Sequence, residues 1–303
     1  MSFKIGNAPT SWGVEQANSE TNPPWQKVLD DMSAAGYEGT ELGPLGFMPT
    51  DPGRLSEELA KRNLQLTAGT LMDVLHDPHA AERLQETTRS VCSLLQSQDA
   101  PYLVIIASIM DGRLQTAGRS WAAPRLEGGE WDTLIDNVIS CAKISKNEYG
   151  ITPVVHPHAG THIEFIDEIE LLLGQTDSEL INLCIDTGHC AYAGIDPFSL
   201  YEIFKERTPY LHLKDLDPNV RRRALETGMS FWEAYSADIF CSFGAGVSDF
   251  RKLGEMLVKN DYQGWLTVEQ DADPLSGSDP GEDAIVSLEH LGQAGLASPS
   301  AGR

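Results

Sequence analysis

The sequence predicts an α/β fold, a (β/α)8 barrel, on three observations. Apolar, strand-like runs alternate with amphipathic helical stretches from one end to the other, which is the pattern of a parallel sheet with crossover helices. Eight such units fit into 303 residues, a length that suits one barrel domain. Four of the runs in the second half end in clusters of carboxylates and histidines, at the ends where a barrel of this kind carries its polar groups.

Taken in order, residues 3–9 (FKIGNAP) read as strand one and Trp25 to Ala35 as its helix, closed by Gly36. GTELG around Glu41 is strand two, followed by a helix from Leu55 to Arg62. LQLTAGTL is strand three and His79 to Gln96 a long helix; YLVIIAS is strand four and Trp131 to Tyr149 its helix, stopped by Gly150. The runs ITPVV, INLCI, TPYL and GWLT are strands five to eight, with helices at Phe165–Leu173, Pro197–Lys205, Phe250–Lys259 and Asp283–Leu291. No linker rich in Pro, Gly or Ser divides residues 1–295, so one domain is expected, with residues 296–303 as a disordered tail. Two connections are long, Asp111 to Glu130 and Asp217 to Gly246, and loops of that length in a compact barrel serve as lids or binding loops.

The formal net charge of −23 excludes a nucleic-acid backbone or an anionic membrane as the natural partner, because both need clustered Lys and Arg. The one basic triplet, Arg221 to Arg223, reads as a solvated face. Cys92, Cys141, Cys184, Cys190 and Cys241 form an odd set without CxxC spacing, so neither a disulfide framework nor a cysteine-rich zinc site is expected. The first residues carry no apolar core of the length a secretion signal needs, and no stretch approaches a membrane span. The expectation is a soluble, cytoplasmic protein that acts on a small molecule, and a homo-oligomer is compatible with it.

The four polar clusters are HPHAGTHIE (His156 to Glu164), DTGH (Asp186 to His189), HLKD (His212 to Asp215) and VEQD (Val268 to Asp271). Residues i and i+2 share a strand face, so His156 aligns with His158, His212 with Lys214, and Glu269 with Asp271. Faces turned into the barrel mouth would crowd carboxylates, imidazoles and an ammonium together, and a divalent cation is the simplest neutraliser. The mixed oxygen and nitrogen set suits Mn, Co, Mg or Zn. Glu41, at the end of strand two, is a candidate substrate contact, and Trp12 could stack on a sugar face. Asp73 and His76 read as surface loop residues, and the glycines of FGAG (Phe243 to Gly246) as a turn or a place where backbone approaches a ligand.

These clusters, in this order, resemble the xylose-isomerase-like barrel superfamily of sugar isomerases, epimerases and apurinic endonucleases. The similarity is greatest to the inosose dehydratase branch, whose pattern runs HPHxGTxxE, DTGH, HLKD, a GxGxxDF-like loop and GWxxVExEQDP. The corresponding text here is HPHAGTHIE, DTGHCAYAG, YLHLKD, FGAGVSDF and YQGWLTVEQDADP, and IGNAPTSWG resembles that branch's opening. FGAG lacks the acidic residue of the usual PGDG, and VEQDADP is shorter than VEAEQDP.

The resemblance implies one divalent ion, Mn or Co ahead of Mg or Zn, held by Asp186, His212, Glu269 and a fourth ligand from the strand-five cluster. Sugar isomerases of the superfamily place a Glu at the end of strand five, where this chain has His156; Glu164 is the preferred fourth ligand and His156 the alternative. The implied reaction is dehydration of a keto-polyol such as 2-keto-myo-inositol. His156, His158, His189 and Lys214 would move protons, a neutral His or a Lys of lowered pKa acting as base. Trp12, Glu41 and Asp271 would contact the substrate. An isomerase or epimerase of a sugar or sugar phosphate is the leading alternative. A phosphodiesterase is disfavoured by the charge and by a first half with only His76 and His79, and a non-catalytic sugar-binding barrel is the remaining alternative.

Overall fold

The computed structural model describes residues 3–271 and 279–297. Eight strands close a parallel barrel: β1 (Lys4–Asn7), β2 (Gly39–Glu41), β3 (Gln65–Asp73), β4 (Tyr102–Ala107), β5 (Thr152–Val155), β6 (Asn182–Asp186), β7 (Tyr210–Leu213) and, after a small hairpin of β8 (Asp215–Leu216) and β9 (Phe240–Cys241), β10 (Trp265–Val268). Around the barrel β1 lies between β2 and β10, and β10 pairs in turn with β7. The helices among the described residues are α1 (Trp25–Ala35), α2 (Pro52–Ala60), α3 (Ala81–Ser97), α4 (Asp111–Leu114), α5 (Gly129–Lys143), α6 (Ile166–Gly174), α7 (Thr187–Ala193), α8 (Pro197–Phe204), α9 (Pro218–Thr227), α10 (Phe231–Tyr235), α11 (Phe250–Lys259) and α12 (Pro280–Gln293).

Local sequence accounts for the helix boundaries. α2, α8, α9 and α12 each open on Asp-Pro: the Asp side chain (Asp51, Asp196, Asp217, Asp279) accepts from backbone N–H groups of the first turn, and the proline occupies the position that needs no donor. Gly36 ends α1 with φ of 102°, a left-handed conformation that is cheap only for glycine. β4 is buried on both faces, because the sheet is covered outside by helices and filled inside by side chains.

The barrel interior changes character with height. Ala68, Tyr102, Val104, Val154, Cys184, Tyr210 and Trp265 form a packed apolar layer. Two residues further along each strand the chain places His156 above Val154, Asp186 above Cys184, His212 above Tyr210 and Thr267 above Trp265. The inward face therefore passes from apolar to ionisable within one repeat, and the polar clusters stand on a rigid floor.

Strand seven begins two residues later than the TPYL reading, at Tyr210, so that His212 itself lies within the ladder, paired with Thr267 and Asp186. The long fourth helix stops at Lys143 and continues as a π-helical turn, Ile144–Glu148. Four short helices, α4, α7, α9 and α10, fall in stretches read as connections. Residues 298–303 of the expected tail lie outside the described residues, but Leu296 is fully buried and its carbonyl accepts from Phe3 N at 3.0 Å. The packed domain thus extends past residue 295. Leu296→Ala should destabilise the protein by roughly 2–5 kcal/mol in urea unfolding, the range for a buried leucine; a variant within 0.5 kcal/mol of wild type, in the ~0.5 kcal/mol band of surface changes, would return Leu296 to the tail.

Candidate active site

Asp186 is both the last residue of β6 and the N-cap of α7. Its Oδ1 accepts from His189 N at 2.8 Å, which leaves Oδ2 turned away from the cap. Thr187 locks the neighbouring strand, its Oγ1 donating to Lys214 O at 2.6 Å and accepting from Lys214 N at 2.8 Å. Gly188 is required by packing: a Cβ there would lie 2.6 Å from Cγ and 2.8 Å from Cβ of Lys214. DTGH is therefore a cap, a strand lock and a gap for the lysine stem.

His156, Asp186, His212 and Glu269 are buried, and each offers a ligand atom within 4.8 Å of the others. His156 and His212 also group with Cys184 below them. Asp186 Oδ2 and both ring nitrogens of His156 are buried without a hydrogen-bond partner, with His156 Nε2 at 3.6 Å from Asp186 Oδ2. Unpartnered polar atoms of opposite character that face one another in a dry site fit a bound cation, and two imidazoles with two carboxylates suit a first-row divalent metal. His212 is fixed from both sides, with Nδ1 at 2.9 Å from Glu269 Oε2 and Nε2 at 2.8 Å from Glu41 Oε1.

Glu164, the expected fourth ligand, stands outside this group. Its Oε1 accepts from Gly118 N at 2.6 Å, and its Oε2 accepts from Gly160 N at 3.0 Å and from Arg113 Nη2 at 3.3 Å. Arg113, itself fully buried, also donates to Glu168 at 2.6 and 3.0 Å. Glu164 thus ties the 111–130 connection to the loop after β5, and burial pushes its carboxyl up to about 7. The position at the end of β5 belongs to His156, the alternative read from the sequence.

Lys214 Nζ donates to Asp271 Oδ2 at 2.7 Å and Glu269 Oε2 at 3.2 Å, and lies 3.5 Å from Asp186 Oδ2 and 3.1 Å from His189 Nε2. Burial alone would lower its pKa, but Asp186, Asp271 and Glu269 raise it well above the ordinary value. The base of lowered pKa expected at Lys214 is accordingly not what the structure holds: this residue stays an ammonium. His158 and His189 lie with ring centroids 3.8 Å apart. Burial is the main cause that pushes His158 down to about 3 and His189 well below the ordinary range, so both rings are neutral. His158 Nδ1 lies 2.8 Å from the Ala159 carbonyl, which can only accept, so Nδ1 carries the proton and Nε2 keeps its lone pair.

A cavity of about 580 Å³ opens on this cluster, lined among others by Thr10, Glu15, Glu41, His158, Phe231, Trp232, Tyr235, Glu269 and Asp271. Glu41 and Asp271 thus line it as expected, although Glu41 is also bound to the Tyr210 hydroxyl at 2.5 Å. Trp12 does not line it: its ring is buried and its Nε1 donates to Asp31 Oδ2 at 3.0 Å, so it anchors α1. Nor does FGAG approach the cavity. Its loop wraps the Asp215 carboxylate, which accepts from Gly244, Gly246 and Ser248 N–H groups, and a Cβ on Gly246 would collide with Asp215. Asp73 pairs with Arg83, and the His76 ring packs edge-on against His162.

Sequence reasoning missed Glu15, which faces the cavity from the connection after β1, next to the fully buried Val14. The 217–246 connection does cover the mouth, with Phe231, Trp232 and Tyr235 of α10 in the cavity wall. The signal for α10 was in the text: Ser230 and Glu233 form a capping box, Ser230 N donating to Glu233 Oε2 at 2.8 Å.

The model of the xylose isomerase-like TIM barrel family matches residues 29–294. The chain is 32% identical over 275 residues to an inosose dehydratase of Geobacillus kaustophilus, covering 90% of this chain and 88% of that protein. It is 32% identical over 280 residues to the rhizopine catabolism protein MocC of Rhizobium meliloti, with coverages of 90% and 83%. Among solved structures, the IolI protein with a bound zinc atom aligns with a TM-score of 0.72 at 11% identity, over 96% of this chain and 98% of that one.

Glu164→Ala should cost roughly 3 kcal/mol of stability, because it removes a buried ion-pair partner and the acceptor of two backbone N–H groups, while leaving the His156, Asp186, His212 and Glu269 group in place. Denaturant unfolding together with metal content checks this. Loss of metal at unchanged stability would put Glu164 back among the ligands.

Proposed function

The chain belongs to the xylose isomerase-like TIM barrel family, and from that premise we propose that it is a metal-dependent lyase that removes water from a cyclic keto-polyol of the inosose type. The carrying observation is that one residue, Glu269, belongs both to the buried four-residue cluster and to the wall of the cavity, so a bound small molecule meets the cluster directly. Identity of about 30% to several inosose dehydratases over most of the chain supports the reaction class. All five cysteines are unpaired, which fits a reducing compartment such as the cytoplasm. No helix of the described residues is long and apolar enough to cross a membrane.

A divalent ion, Mn or Co in this reading, would be held by His156, Asp186, His212 and Glu269 and would supply Lewis acidity toward a ketone oxygen. The chain's own residues supply the rest. His158, which lines the cavity and keeps its Nε2 unprotonated, takes the proton from the carbon next to the ketone. The electron pair of that C–H bond moves toward the carbonyl as charge builds on its oxygen. Lys214, paired with Glu269 and Asp271, offsets the growing negative charge. When the bond to the β-hydroxyl breaks, the proton on His158 leaves with the hydroxide as water, so the base is regenerated. Phe231, Trp232 and Tyr235 keep solvent from the charged intermediate.

The purified protein should hold about one divalent ion per chain after dialysis against a weak chelator, and His156→Ala and Glu269→Gln should each lose it while keeping a native circular-dichroism spectrum. Two or three tightly held ions in wild type would point to a multinuclear phosphodiesterase centre. Supplied with 2-keto-myo-inositol, the metal-loaded enzyme should generate a near-ultraviolet chromophore from the unsaturated ketone. Deuterium incorporated from heavy water into recovered substrate, with no chromophore across a panel of keto-inositols, ketohexoses and 3-keto-glycosides, would establish an isomerase or epimerase instead.

A further inference from the structure

The cavity wall on which the metal-competent cluster opens has a composition the reaction itself does not explain. Four carboxylates line the cavity, those of Glu15, Glu41, Glu269 and Asp271, and no lysine or arginine stands among the lining residues. Glu41 is occupied by His212 and Tyr210, Glu269 by His212, Lys214 and Thr10, and Asp271 by Lys214. Glu15 is different. Its neighbours Trp12 and Val14 are buried, while Glu15 itself is exposed. Among the described residues its hydrogen-bond contact is the Tyr235 hydroxyl of α10, at 3.5 Å from Oε1, across 220 positions of sequence. It has free acceptor positions turned to the space a substrate fills, since a carboxylate offers about four lone-pair sites.

Resting on the dehydratase reading of this site, we propose that Glu15 is the substrate-binding residue that accepts hydrogen bonds from ring hydroxyls remote from the ketone, with Tyr235 as the residue that holds it there. Two facts bear on what this part of the wall accepts. Beside Glu15 no lysine or arginine lines the cavity, so a phosphate or carboxylate placed there would meet a carboxylate and no lining basic side chain. A hydroxyl-rich ring, in contrast, brings several donors to acceptors that are otherwise incompletely used. Glu15 is exposed to solvent, so it stands at the open side of the cavity, where an entering substrate meets it. Selectivity then comes from the unfilled acceptor: an analogue lacking the matching hydroxyl leaves Glu15 unpaired, which sites of this kind reject strongly. Because Tyr235 lies on α10, the same contact links the substrate-reading wall to the cover over the mouth.

The test compares wild type, Glu15→Ala, Glu15→Gln and Tyr235→Phe as metal-loaded full chains of matched metal content and melting temperature. KM for the keto-inositol should rise about tenfold to a hundredfold in Glu15→Ala, the range for a lost hydrogen bond to a charged group, with kcat changed much less. Glu15→Gln and Tyr235→Phe should fall between that variant and wild type, and a phosphate ester of the same polyol should inhibit wild type more weakly than the neutral compound. A wild-type KM in Glu15→Ala, or tighter inhibition by the phosphate ester, overturns the proposal. Should wild type turn over no keto-polyol, the dehydratase reading fails by itself, and calorimetric titration of the manganese-loaded protein with myo-inositol still reads this wall. Binding weakened about tenfold or more by Glu15→Ala supports it, whereas unchanged binding, or none to wild type, overturns it.

Discussion

A buried ammonium set among three carboxylates is the interaction on which the mouth of this barrel depends. Lys214 reaches Asp186 from β6, Glu269 beyond β10 and Asp271 two residues further on. Without it three acids from two strand ends would face one another in a site that water cannot easily enter, an arrangement proteins avoid because unpaired buried charge is costly. Its demands propagate outward. The stem needs the space that Gly188 leaves, and the backbone needs the Thr187 hydroxyl. Ser248 then bonds the Lys214 carbonyl, and Asp215, the next residue, gathers the loop that returns from α10. Two adjacent residues of HLKD, Lys214 and Asp215, thus organise DTGH, VEQD and the FGAG loop together.

The strand-end groups were legible in the sequence because strand geometry leaves little freedom. A residue two places beyond an inward residue must also point inward, so Asp186 and His212 could be placed from Cys184 and Tyr210, and Glu269 from Trp265 through Thr267, with no knowledge of the loops. The same rule placed Lys214 and Asp271 beside them, and the contacts between them follow. Where the chain leaves the strand the rule lapses. Glu164 lies in a loop eight residues beyond His156, and nothing in its spacing shows that Arg113, 51 positions earlier, holds it instead. The paired glutamates 164 and 168, four apart at the start of α6, were the sole sequence sign of a waiting guanidinium.

Trp12 and Glu15 illustrate the same boundary from the other side. Both follow β1 by a few residues, and composition favours the aromatic ring as the sugar contact. The 3-10 turn from Pro9 to Trp12 instead rotates the indole into the space beside α1, where Asp31 takes its N–H, and leaves the carboxylate three residues later on the cavity wall. A turn of that kind resets which residues face inward, so periodicity carried over from the strand assigns the wrong one. The helices missed in the long connections have a similar origin. α7 is too short for a recognisable apolar stripe and exists because Asp186 caps it, and α10 is announced only by its capping box.

The division between strand and loop also separates the two chemical tasks. The cluster that would hold a metal is fixed by elements that cannot shift independently: Tyr210 stacks on Tyr102 in the apolar layer, its hydroxyl meets Glu41 and Thr267, and Glu41 in turn holds His212 from behind. Removing any member of that chain leaves a buried polar group without a partner, so the cluster resists change as a unit. The groups around the remaining volume stand on connections instead: Glu15 after β1, His158 after β5, and Phe231, Trp232 and Tyr235 on α10. Those connections can change in length and sequence without disturbing the ladder beneath them. A barrel built this way can keep one way of activating a ketone while its loops decide which ketone is admitted and whether the abstracted proton returns to carbon or leaves in water.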